Sequence, residues 1–319
     1  MRRDAFPAPR RVPANDIELA VYESGEGVPV VLCHGFPELA YSWRYQLPAL
    51  ADAGYRAIAP DLRGFGLSDK PDGILSYDVL ATCADMTGLL DSLDLDDAFF
   101  VGHDWGALLL WQMALLHPER MRGFAALNIP FYPRPPVDPI IMMRQVLGDD
   151  FYIVNFQDSD EADRSFDADP ERFFRSVMRR LPMTRARFDQ IPVGKRRPYS
   201  LLHGMRKVHF GGEPLLSDDE LLVFIDAYRR GGFTAPINWY RNWTRNWELT
   251  EGVKQRVCVP TLFVGAVDDI LIAPHHIDAM RRYVDDLEVR MIDECGHWTQ
   301  QEKPDELNRI LLEWLSRKA

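Results

Sequence analysis

The feature that most limits the fold of this chain is the run Ala98-Phe99-Phe100-Val101, which ends in Gly102-His103-Asp104-Trp105-Gly106. Helical apolar spacing over residues 108–116 follows at once. A short, wholly apolar run that breaks at glycine and resumes as a helix describes a buried strand turning sharply at its end. Glycines two residues either side of Asp104 permit a turn that lifts the central side chain above a sheet. A strand apolar on both faces needs parallel neighbours and a layer of helices on each side.

The first half of the chain supplies them. Residues 17–22, 28–33, 55–59 and 123–127 read as strands, and residues 43–53 and 78–93 as helices. Strands alternating with helices of this length predict βαβ units and a mostly parallel sheet. The alternation stops at PFYPRPPVDP (130–139), a connector too rich in proline for either element. Beyond it the spacing is helical, notably over residues 173–180 and 218–230, the latter with Ser217 as its N-cap. No convincing strand is expected there. Strand character returns in VCVPTLFV (257–264) and at 288–292, and a helix over 306–316 closes the chain. The expected organisation is a core built from residues 1–132 and 251–319, interrupted by a helical cap of residues 133–250.

Charge narrows the partners. With 37 basic against 48 acidic residues the net charge is −11, which disfavours nucleic acid and anionic membranes. Lys195-Arg196-Arg197 is too short a basic cluster to change that. No stretch approaches the ~18 to 20 apolar residues of a membrane span. Met1-Arg2-Arg3-Asp4 leads into no apolar run, so no secretory signal is expected. Cys33, Cys83, Cys258 and Cys295 lie far apart without metal-ligand spacing, and read as thiols of a reducing cytoplasm. Asn242-Trp243-Thr244 matches a glycosylation sequon, which without a secretory route has no consequence.

Asp104 on its own also fits an ordinary helix N-cap. Two further residues weigh against that. Asp269 follows the apolar run Leu262-Phe263-Val264, and His297 follows the next strand, in Asp293-Glu294-Cys295-Gly296-His297-Trp298. Nucleophile, acid and histidine in this order at strand ends is the chain order of an α/β-hydrolase. His34-Gly35-Phe36-Pro37 ends an early strand, and the Phe36 N–H would join that of Trp105 as an oxyanion hole. His34 and His103 read as structural.

Four stretches resemble the epoxide hydrolases of the α/β-hydrolase superfamily, the hydrolase domain of the soluble enzymes in particular. They are HGFPELAYSWRYQLPALADAGYRAIAPDLRGFGLSDKP (34–71), VGHDWGALLLWQMALLHPERMRG (101–123), PINWYRNW (236–243) and ECGHWTQQEKPDELN (294–308). The likeness runs from about residue 15 to the end and is weakest over 158–215. The phosphatase-like domain that precedes the hydrolase domain in mammalian members is not expected. The resemblance implies an α/β-hydrolase core, a helical cap, and two cap tyrosines directed at the nucleophile. One matches Tyr240. The other matches Tyr152, in Phe151-Tyr152-Ile153-Val154-Asn155, with Tyr132 as the competing choice.

These residue types suit that chemistry. An aspartate with the reference pKa of about 3.9 is ionised at pH 7 and attacks an alkyl carbon without a base. The resulting ester is hydrolysed by water, for which His297 oriented by Asp269 would be the base. Epoxide opening generates an alkoxide, which a tyrosine hydroxyl can stabilise or protonate. The expected partners are an epoxide and water, with no cofactor and no metal, in a monomer or homodimer. Haloalkane dehalogenases share the Asp-Trp elbow, but commonly carry Asn where this chain has Phe36. Fluoroacetate dehalogenases need Asp-Arg at the elbow. A ligand-binding relative without chemistry would have no need of Asp104, Asp269 and His297 together, and Asp attack on an ordinary ester would give an anhydride.

Overall fold

The computed structural model describes residues 6–180, 183–192, 200–270 and 274–319. The first four residues and the Lys195-Arg196-Arg197 cluster lie outside them. Among the described residues there are ten strands: β1 (Arg10–Ala14), β2 (Ile17–Ser24), β3 (Val28–Cys33), β4 (Tyr55–Pro60), β5 (Ala98–His103), β6 (Met121–Leu127), β7 (Arg179–Arg180), β8 (Glu213–Pro214), β9 (Thr261–Ala266) and β10 (Leu287–Ile292). Eight of them form one sheet in the order β1-β2-β4-β3-β5-β6-β9-β10. β2 runs antiparallel to both its neighbours, and every later pairing in the sheet is parallel.

Period-two patterning explains why both faces are buried. Val31, Cys33, Ile58 and Phe100 face one layer, formed by the helices Val79–Ser92 and Trp105–Leu116. Val30, Leu32, Ala57 and Phe99 face the opposite layer, formed by Gln46–Asp52 and Pro304–Lys318. Deleting a buried aromatic such as Phe100 would cost about 3–5 kcal/mol, because a close-packed interior relaxes only partly around the void.

β1 escapes the sequence reading. RRVPA is short, charged and contains proline, which a sheet tolerates at its edge, and there β1 lies. Helical spacing over 43–53 resolves into a 3₁₀ turn, Ala40–Trp43, and a helix, Gln46–Asp52. The strand expected at 257–264 begins only at Thr261, after Pro260, and Val257 makes a single bridge to Val284.

β6 and β9 are neighbours in the sheet, yet residues 128–260 separate them in sequence. Helices dominate that insertion. Asp218–Gly231 starts at Ser217, the N-cap its sequence predicts, and Glu220 completes a full capping box. The helix expected over 173–180 is instead Pro170–Val177, followed by β7 paired antiparallel with β8. This two-residue ladder corrects the expectation of a segment without strands, and it is too short to carry a period-two signal.

Polar ties hold the insertion to the core. Arg44 is 2% exposed at its side chain and pairs with Glu220 at 2.9 Å. The Trp239 indole donates to the Arg63 carbonyl at 2.9 Å. The Asn242 amide donates to the carbonyls of Ile74 and Asn238, so the sequon asparagine is a buried structural residue. Among the described residues no helix is long and apolar enough to cross a membrane.

Candidate active site

The parallel strands end on one edge of the sheet, where an open α/β sheet presents its loops to a ligand. Phe36 and Glu38 follow β3, Asp104 follows β5, Asn128 follows β6, Asp269 follows β9 and His297 follows β10.

Asp104 sits at φ 52° and ψ −117°, a conformation that L residues seldom adopt and that packing must enforce. The flanking glycines are steric requirements. A Cβ on Gly106 would stand 2.0 Å from the Cys33 carbonyl oxygen, and one on Gly102 would stand 2.5 Å from the Gly106 oxygen. The turn therefore exists only with glycine at both places. It leaves Asp104 8% exposed at the head of the helix Trp105–Leu116.

The two ends of the Asp104 carboxylate face different groups. Oδ1 accepts the Phe36 N–H at 2.9 Å, beside the cis Phe36–Pro37 peptide. Oδ2 faces His297 Nε2 at 3.7 Å. On the other side of the ring, His297 Nδ1 donates to Asp269 Oδ2 at 2.8 Å. Burial, the largest single influence on His297, disfavours its charged form. Asp269 and Asp104 outweigh it and hold the imidazole well above its ordinary value of 6.5. The two carboxylates thus both favour the protonated ring.

Above these residues lies a cavity of about 660 Å³, counting the space at its open mouth. Asp104, Asp269, His297, Tyr152 and Tyr240 all line it. Tyr240, in the helix Thr234–Arg241, is buried, with Tyr152 at the start of the helix Tyr152–Asp158 and the ring centroids 5.6 Å apart. Burial pushes the Tyr240 hydroxyl well above the usual tyrosine range, and neighbouring Tyr152 and Asp104 add to the rise. Tyr132 is elsewhere. It is 43% exposed, with its hydroxyl 3.3 Å from His276 Nδ1, and it does not figure in the cavity wall. The Trp105 backbone N–H is the first of its helix and has no acceptor within that helix. Its indole packs edge-on against Trp239, Tyr240 and Trp243.

Sequence reasoning passed over a buried layer beneath the site. His103 Nδ1 lies 2.6 Å from Glu38 Oε2, and its Nε2 lies 2.7 Å from the His297 carbonyl. Glu38 also accepts from the Gly35 N–H and from the side-chain amides of Gln300 and Gln301. Burial alone would raise the Glu38 carboxyl, but the adjoining His103 ring prevails and holds it at about 2. Asn128 donates to Asp269 Oδ2 at 2.8 Å and accepts from Thr299 at 2.7 Å. His34 is structural, as its sequence suggests: its Nε2 accepts the Leu62 N–H at 3.0 Å, and burial lowers its pKa. The signals for Glu38 and Asn128 were present, since each stands just beyond a strand that ends at the site. Among the described residues no group of three His, Cys, Asp or Glu side chains is placed to hold a metal ion.

Comparison with known proteins agrees with this architecture. The α/β hydrolase fold family matches residues 28–304. Epoxide hydrolase A of Mycobacterium tuberculosis is 41% identical, covering 97% of this chain and 98% of its own. The bifunctional epoxide hydrolase 2 of Sus scrofa is 38% identical over 95% of this chain, which spans 54% of that longer protein. Among solved structures, Epoxide Hydrolase A from Mycobacterium thermoresistibile superposes with a TM-score of 0.88 at 39% identity, covering 97% of this chain and 98% of that one. An epoxide hydrolase from Vigna radiata gives 0.85 at 33% identity, with 97% and 98% covered. With such likeness over nearly its whole length, the chain belongs to the epoxide hydrolases of the α/β-hydrolase superfamily.

Proposed function

We propose that this enzyme converts epoxides to vicinal diols through a covalent ester on Asp104. The observation that carries the reading is one carboxylate with its two oxygens differently engaged, Oδ1 on the Phe36 N–H and Oδ2 facing His297 across the cavity from two tyrosines. In the first step Asp104 Oδ2 forms a bond to an epoxide carbon, and the carbon–oxygen bond of the ring breaks. The alkoxide left behind takes a proton from the Tyr152–Tyr240 pair. An alkoxide is about as basic as hydroxide, the conjugate base of water at pKa about 15.7, so it can draw a proton from a phenol whose own pKa burial has raised. That raised value also keeps Tyr240 protonated until the alkoxide forms.

Ester formation removes the negative charge of Asp104. His297 thereby loses one of the two carboxylates that hold its proton, gives that proton through solvent to the tyrosinate left by ring opening, and becomes a competent base for the second step. Its Nε2 takes a proton from water, the hydroxide adds to the Asp104 carbonyl carbon, and the tetrahedral oxyanion forms where Oδ1 already meets the Phe36 N–H. The Trp105 N–H would be the second donor. Collapse breaks the bond between the Asp104 carboxyl carbon and Oδ2, so the diol leaves with Oδ2 and takes its proton from the added hydroxyl, which restores the carboxylate. Residues 133–250 act in this reading as a cap that contributes both tyrosines and closes the cavity.

A haloalkane reading would need donors for a departing halide. The Trp105 indole packs among aromatic rings and is not among the cavity-lining residues, and two tyrosines line the cavity with the nucleophile instead. A single turnover with excess enzyme in oxygen-18 water tests the ester. The diol of the first turnover should be mostly unlabelled, because its new oxygen is Asp104 Oδ2, and the label should enter Asp104. Full label in that first diol means direct attack by water, and sinks the covalent route.

A further inference from the structure

Two contacts carry the insertion onto the loops that hold His297 and Asp269. Trp298 directly follows His297, and its indole N–H donates to the Val177 carbonyl at 3.2 Å. Val177 ends the helix Pro170–Val177, and the last carbonyls of a helix have no partner within it. The Trp298 ring also packs edge-on against the imidazole, with centroids 4.9 Å apart. Arg185, at the start of the short helix Arg185–Asp189, meets the other loop. Its backbone N–H donates to Asp268 Oδ1 at 2.8 Å, and its Nη2 donates to the Asp269 carbonyl at 3.1 Å. The two loops are themselves joined, since the Asp268 N–H donates to the Cys295 carbonyl at 3.0 Å.

The core grips the His297 loop by its backbone. The N–H groups of Gly296 and Trp298 donate to the Glu302 carboxylate at 3.1 and 3.0 Å, and the His297 carbonyl meets His103 Nε2. The imidazole itself is steered by Asp269 and walled by Trp298, and the insertion touches both of those residues. We propose that Trp298 and Arg185 are positioning residues through which the insertion aims His297 at the water that cleaves the ester. This role rests on the covalent epoxide hydrolase reading and gives the insertion a second duty within it: its tyrosines serve ring opening, and its ties serve hydrolysis. His297 Nε2 stands 3.7 Å from Asp104 Oδ2, beyond hydrogen-bond range, so the ring must be aimed to serve as a base for water between them. Attack by the ionised Asp104 needs no base, so an imidazole that wanders costs the second step and spares the first.

Single turnovers stopped by acid, with the intact protein mass read at each time, follow formation and decay of the ester separately. Trp298→Phe keeps a ring against His297 and loses the N–H. Its ester should decay about five- to tenfold more slowly than the wild type's, the worth of one neutral hydrogen bond, while formation stays within about twofold. At steady state kcat and KM should fall together, leaving kcat/KM, which reports the steps up to the ester, nearly unchanged. Arg185→Leu should bias the two steps in the same direction, and Arg185→Lys, which keeps a donor, should recover most of the decay rate. Should Trp298→Phe fail to fold, the two Arg185 variants still decide. Unchanged decay, or equal slowing of both steps as a general loosening of the fold would give, overturns the positioning role alone. Wild-type enzyme that makes diol without any ester on Asp104, or makes no diol, overturns the covalent hydrolase reading itself, and this inference with it.

Discussion

The sheet edge and the helical insertion hold their candidate site residues by different means. Asp104, Asp269 and His297 are placed by backbone: a strained turn between two obligatory glycines, and loops leaving adjacent strands. Beneath them Glu38, His103 and Asn128 tie loop to loop through buried hydrogen bonds. Tyr152 and Tyr240 are placed by packing, in a cluster with Phe36, Phe156 and Trp105 whose ring centroids lie about 5 to 6 Å apart. The difference teaches a division of labour. In the proposed reaction the core would carry the fixed charges, whereas the insertion would carry adjustable shape and the proton donors. Damage to the core should abolish chemistry, while damage to the insertion should weaken one step or change what is accepted.

Asp104→Ala offers the largest effect. It should lower kcat/KM by about 10,000-fold or more, as removal of a nucleophile does, and no covalent adduct should appear in the intact mass. Substantial residual turnover would show that the core does not carry the chemistry. His297→Gln separates the two steps. Ring opening should persist and the ester should accumulate, so the protein mass rises by one substrate, while steady-state turnover falls by about 1,000-fold. In the wild type, hydrolysis of that ester should slow as pH falls, because His297 must be neutral to accept a proton.

The insertion is probed next. Tyr152→Phe and Tyr240→Phe should each slow ring opening by roughly 10- to 100-fold, the value of one hydrogen bond to a developing alkoxide, and the double change should nearly abolish it. Stopped-flow tryptophan fluorescence follows that step. Tyr132→Phe should alter it little, and a larger loss there than at Tyr152 would reverse the assignment of the first tyrosine. Glu38→Gln should act on stability more than on rate, lowering it by about 1–3 kcal/mol at neutral pH. The carboxyl of Glu38 is depressed on folding from 4.5 to about 2, so its contribution is full above about pH 4.5 and lost as pH falls towards 2. Denaturant titrations of both proteins should therefore converge over that window, and a difference that persists at pH 2 would sink this account.

Much of this was legible before any coordinates. GHDWG at the end of an apolar run predicts the elbow, because the steric demand for Gly102 comes from the turn's own backbone, although that for Gly106 comes from Cys33 and His34 on the neighbouring strand. The order Asp104, Asp269, His297 predicts shared placement, because parallel strands all deliver their ends to one edge. What stayed hidden was either too short for its period to show, as with β1, β7 and β8, or set by contacts between distant segments. Glu38 reaches His103 across 65 residues, and Asn128 reaches Asp269 across 141.

Local sterics and strand periodicity are properties of neighbouring residues, so the sequence by itself determined the elbow, the parallel core and the triad order. Proximity across the cavity is a property of packing. Only the tertiary structure chose between Tyr152 and Tyr132 for the cavity wall, which depends on how the insertion folds back over the sheet, and revealed Glu38 as a buried carboxylate under the site, which depends on how distant core loops meet.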